Sequence, residues 1–65
     1  MIYQIMDRQI EGRLFGDGAK YASKEEVRLQ LIDYHSIDWT GEYPIENMTL
    51  EDILEYGEWE IVQCL

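Results

Sequence analysis

Cys64 is the only cysteine in this 65-residue chain, so the chain cannot staple itself and must be held by packing alone. A body of this size hides only about 60% of the surface that its unfolded chain exposes, which allows one domain with a thin stability margin. The material for a core is present all the same. Apolar residues make up 46% of the sequence and include Phe15, Trp39, Trp59 and five tyrosines, which argues against disorder throughout.

A pass along the chain gives an order of elements. Residues 2–6 read as a strand, with Ile2, Gln4 and Met6 on one face and Tyr3 and Ile5 on the other. Asp7-Arg8-Gln9 is short enough for a hairpin turn, and residues 10–15 offer a second strand in which Gly12 marks a weak point or a bulge. Gly16-Asp17-Gly18 supplies residues that tolerate positive φ and closes the hairpin region.

The sharpest local signal is Ala22-Ser23-Lys24-Glu25-Glu26-Val27. The Ser23 hydroxyl can accept from the Glu26 amide while the Glu26 carboxylate reaches back, which is a capping box, with Ala22 and Val27 placed as a hydrophobic staple. A helix is expected from Lys24 to near Ile37, its apolar stripe running through Val27, Leu31 and Tyr34, flanked by Ile32 and by His35 or Ile37. Gly41 and Pro44 argue for a packed loop between Asp38 and Met48. Thr49 then caps a short helix that Gly57 is expected to stop as a left-handed residue, with Met48 and Ile53 as its staple. Residues 59–65 form the last strand, placed beside the first. The expected fold is α+β: a small three-stranded sheet in the order strand, strand, helix, short helix, strand, with the helices packed on one face.

Charge is distributed unevenly. The chain carries a net −9, and residues 1–22 are balanced, with Asp7, Glu11 and Asp17 against Arg8, Arg13 and Lys20. Arg28 is the last cation, and residues 29–65 hold nine carboxylates without one lysine or arginine. Neutralising phosphates requires cations, so direct binding to nucleic acid and to anionic membranes is disfavoured, while basic protein surfaces are favoured. No stretch approaches the roughly 18 apolar residues of a membrane helix, and Met1-Ile2-Tyr3-Gln4 lacks the basic flank and apolar run of a signal peptide. The expectation is a soluble protein of the cytoplasm.

Catalytic chemistry finds few parts. His35 and Asp38 stand three apart near a helix end, and Cys64 is the one strong nucleophile, yet no nucleophile, base and orienting group can be assembled from them. One histidine and one cysteine do not build a zinc site. Glu51, Asp52 and Glu55 lack the glycine-centred loop of a calcium site, and Gly16-Asp17-Gly18 is too short for a phosphate cradle. The chain is read as not an enzyme, with no cofactor and no metal.

What is left is a surface. Asp38, Glu42, Glu46, Glu51, Asp52, Glu55 and Glu58 are the candidate contacts for a basic partner, with Trp39 and Tyr43 as aromatic anchors. The alternative is that the acids serve solubility only, in a small self-associating domain that forms a homodimer through its exposed sheet face or edge. The opening strand Ile2-Tyr3-Gln4-Ile5-Met6-Asp7, the Ser-Lys-Glu-Glu helix start and the aromatic tail resemble the small acidic proteins of bacteriophages and prophages. The resemblance carries no diagnostic motif. It implies that host-directed inhibitors, some of them acidic nucleic-acid mimics, belong among the candidate functions.

Overall fold

The computed structural model describes residues 1–64. It is an α+β fold of two antiparallel strands and two helices: β1 (Ile2–Asp7), α1 (Lys24–His35), α2 (Leu50–Gly57) and β2 (Trp59–Cys64). β2 lies beside β1 as expected, in a register that sets Ile5 opposite Ile61 and Asp7 opposite Trp59. Leu65, expected to end this strand, lies outside the described residues.

The alternation read from β1 decides which face of the sheet is covered. Ile5 is fully buried and meets Val27 and Leu31 of α1 and Ile53 of α2, while Tyr3, Trp59 and Ile61 pack around this group from the same side of the sheet. The shortest dimension of the molecule, 17 Å, is that of one helical layer on one layer of strands. The opposite face carries Ile2, Gln4, Met6, Glu60, Val62 and Cys64.

The third strand expected over residues 10–15 is not formed, and the reason is local. Asp7 Oδ1 accepts from the amides of Gln9 and Ile10 and turns the chain, and Leu14 returns to β1 as a single bridge to Met6. There the ladder breaks, because Gly16, Asp17 and Gly18 all hold positive φ, a conformation that no extended strand accommodates. A second bridge, Tyr3 to Tyr21, resumes the pairing. Three residues back along β1 the partner is seven residues on, so four residues loop out between the bridges. That loop contains the 3-10 turn Phe15–Asp17 and swings Phe15 over the edge of the sheet, where it meets Tyr34 and Trp59 edge-to-face at 5.0 and 5.3 Å.

α1 begins where the capping box places it. The Glu26 amide donates to Ser23 Oγ at 3.1 Å, and the Glu26 carboxylate accepts from the Ala22 amide at 2.8 Å. Ala22 itself is exposed, so it is fastened by this bond and not by an apolar staple. The buried stripe runs Val27, Leu31, His35, a strict i, i+4, i+8 line. Tyr34 sits beside it, half exposed, and Ile37 lies beyond the helix end at 94% exposure. α2 starts at the Thr49 cap, whose Oγ1 accepts from the Asp52 amide at 3.2 Å. Its left-handed residue is Glu58 (φ 57°), not Gly57.

Gly57 is needed for a different reason: a Cβ there would overlap the Trp59 indole and the His35 imidazole. His35 is 6% exposed, and its Nε2 accepts from the Trp59 indole N–H at 3.0 Å. An accepting Nε2 requires the proton on Nδ1. Among the described residues that nitrogen has no hydrogen-bond partner; Asp38 Oδ1 stands 3.5 Å away without the alignment a bond requires.

Candidate functional site

The acidic half is arranged by its loop. Asp38 and Trp39 meet the C-terminal end of α2, where the Tyr56 hydroxyl donates to the Asp38 carbonyl at 3.3 Å and the Trp39 and Tyr56 rings lie 4.9 Å apart. Residues 46–48 meet the N-terminal half of α1 through Arg28, which donates from Nε to the Met48 carbonyl at 2.8 Å, from Nη2 to the Glu46 carbonyl, and from Nη1 to Glu25 at 3.0 Å. The 38–48 segment therefore runs back to the N-terminal half of α1, and α2 then returns so that Gly57 reaches His35 at the end of α1. Both helices point their C-termini to one end of the molecule. The last cation in the sequence is thus the clamp that closes the acidic loop onto α1.

This path brings the candidate residues together in part. Glu51 and Glu55 are exposed one turn apart on the face of α2 opposite Ile53, and Asp52 is exposed on its flank. Asp38, Glu42 and Glu46 are exposed along the returning loop, which meets α2 at Tyr56 through Asp38 and Trp39 and meets α1 at Arg28 through residues 46–48. Glu58, at the end of α2, is engaged by the Gln9 amide group. Glu55 meets Arg8, whose Nη2 lies 3.3 Å from the carboxylate and 3.1 Å from the Leu54 carbonyl, so one guanidinium caps the negative end of α2. Neither attachment from the turn after β1 was legible in the sequence, because Arg8 and Glu55 are 47 positions apart and nothing local joins them.

The two aromatic candidates have different environments. Trp39 is half-buried, its indole N–H donating to the Tyr43 carbonyl at 2.7 Å, and Gly41 packs so closely on the ring that a side chain there would overlap it. Trp39 is therefore the post around which the loop is wound. Tyr43 is 72% exposed, with its backbone fixed by the same bond, and so presents a ring at little loss of conformational freedom.

The nine carboxylates between residues 29 and 64 share one environment: Asp33, Asp38, Glu42, Glu46, Glu51, Asp52, Glu55, Glu58 and Glu60 are all exposed. Among the described residues only Glu55 of these nine meets a guanidinium, and Asp38 stands beside an imidazole. Among the described residues, Arg8 is the one cation of the first half that folds back to pair with a carboxylate of the second. Among the described residues there is also no cavity and no group of three or more side chains able to hold a metal ion, and no helix is long and apolar enough to cross a membrane. No protein-family model, curated protein or solved structure matches the chain.

Proposed function

We propose that this chain is a non-catalytic protein-binding module or inhibitor of the cytoplasm whose acidic surface engages a basic partner. The observation that carries this reading is the uncompensated charge just described: nine exposed carboxylates in the second half, of which one has a guanidinium partner among the described residues. A surface that serves solubility alone usually mixes signs, because mixing gains weak ion pairs and relieves self-repulsion. Carboxylates on the outward face of α2 and along the adjoining loop suit a cationic groove, including one that normally receives a phosphate backbone. The resemblance to small acidic phage proteins places host-directed inhibitors among the candidate roles for such a surface.

The contacts proposed are Asp38, Glu42, Glu46, Glu51, Asp52, Glu55 and Glu58, with Tyr43 as the exposed ring and Trp39 as its support. Capture from a bacterial lysate tests the assignment when the native chain is compared with a Glu51→Gln, Asp52→Asn, Glu55→Gln variant. The basic proteins retained by the native chain should be retained at least tenfold less by the variant. Equal retention by both would overturn the α2 face as the site.

A second reading has its own observation. Ile2, Met6, Val62 and Cys64 lie on the sheet face that no helix covers, which is the surface a self-associating domain would use. Sedimentation separates the two: a monomer at high protein concentration excludes the homodimer, and a dimer at micromolar concentration supports it.

A further inference from the structure

One edge of the two-stranded sheet is covered and the other is open. Tyr3 exchanges both of its backbone hydrogen bonds with Tyr21 at 2.8 Å, and the Asp7 amide donates to the Arg13 carbonyl at 2.9 Å. The odd-numbered residues of β1 thus turn their amides and carbonyls away from β2. In an antiparallel ladder these directions alternate, so Ile2, Gln4 and Met6 bond Cys64, Val62 and Glu60, and the Arg8 amide continues the series to the Glu58 carbonyl. It follows that Trp59, Ile61 and Gln63 of β2 point their amides and carbonyls to the far side. Among the described residues no strand receives them there, since the sheet ends at β2 and both isolated bridges fall on β1.

An open edge is a template for another strand, and proteins blunt it with lysine, proline or a bulge. Residues 59–64, Trp-Glu-Ile-Val-Gln-Cys, contain no lysine and no proline and pair with β1 without interruption. Their one charge is Glu60, exposed on the face turned away from the helices.

We propose that the free edge of β2 receives an extended basic segment of a partner protein as an added strand. This rests on the acidic-surface reading above and gives it a geometry: the incoming backbone takes the amides and carbonyls of Trp59, Ile61 and Gln63, in the manner of strand addition. Side chains of the added strand alternate between faces. Lysine or arginine falls beside Glu60 on the open face, and apolar residues fall beside Trp59 and Ile61 on the face the helices cover. Charge decides the occupant. A second copy would bring a net −9 against −9, whereas a cationic strand meets the half of the chain that has no cation of its own.

The probe is a blocked peptide of alternating lysine and valine, about eight residues long, added at low ionic strength to the full chain labelled with nitrogen-15. The control is the same peptide with alternate amides N-methylated, which keeps the charge and removes the hydrogen bonds that face β2. The expected result is slowed hydrogen exchange at the Trp59, Ile61 and Gln63 amides and at least tenfold weaker binding of the methylated peptide. If the methylated peptide binds equally well, or the shifts map to α2 alone, the edge is not the docking site, while the acidic-surface reading stands. If neither peptide binds, strand addition is overturned. Protection of the same three amides that deepens with protein concentration in the absence of peptide would overturn it as well, by giving the edge to a second copy.

Discussion

A methyl group on Gly57 would enter the space held by the Trp59 indole and the His35 imidazole, so helix propensity and packing oppose each other at this position. Alanine is the better helix former by about 1 kcal/mol, but overpacking a tight contact costs about 1–3 kcal/mol. Gly57→Ala is accordingly expected to lower stability in urea denaturation, and a rise would show that the indole can move aside. The contact it protects has a definite chemical state, because His35 Nε2 accepts from Trp59 and the proton must sit on Nδ1. Long-range nitrogen-proton spectra should find that tautomer, and a protonated Nε2 would contradict the bond. Trp59→Phe keeps an aromatic ring but removes the donor from a buried acceptor. A loss of about 1–3 kcal/mol in thermal unfolding is expected.

Elements were legible where their signals are local. The start of α1 was readable because Ser23 and Glu26 are three residues apart and satisfy one another's neighbourhood, and α2 was readable from Thr49 for the same reason. β2 was readable from its run of β-favouring side chains. The third strand is lost to two features without a distinctive sequence signature: residues 10–13 close a turn, with the Arg13 amide donating to the Ile10 carbonyl at 3.1 Å and Gly12 at positive φ, and the three positive-φ residues after Phe15 loop the chain out of the ladder. Gly57 was assigned to the left-handed cap because glycine is the usual residue there, while its packing against Trp59 and His35 depends on tertiary contacts. Of the candidate surface, the acids and Tyr43 were visible as composition. The Arg28 clamp and the Arg8 cap on α2 join residues far apart and have no sequence signature. Arg28→Met should therefore speed hydrogen exchange at the Asn47 and Met48 amides while leaving the β1 and β2 amides unchanged; uniform acceleration would mean that the clamp supports the whole fold. The Tyr21 side chain has a pH signature too. Burial pushes the Tyr21 phenol above its ordinary value of 10.0, so the neutral form is favoured in the fold. The stability this gives is full below the unfolded value and is lost as pH rises through the folded one.

At the scale of the whole molecule, a body with one layer of helices on two strands cannot hide the imbalance of its second half. Self-repulsion among exposed carboxylates opposes folding and is screened by salt. Two exposed arginine pairs are weakened by the same salt, but they are outnumbered. The melting temperature should rise as sodium chloride is added to a dilute buffer, and a fall would mean that the carboxylates are compensated in the folded state. Truncating Leu31, fully buried between sheet and helices, to alanine should cost about 2–5 kcal/mol, a large share of what a domain this small possesses. The central claim is that the uncompensated acidic surface is what a basic partner recognises. Its most direct test is the affinity of the native chain for a captured partner, measured by titration calorimetry between about 0.05 M and about 0.5 M salt, a range over which screening shortens severalfold. The account predicts that affinity falls by an order of magnitude or more across that range, and an affinity unchanged from one end to the other would contradict it.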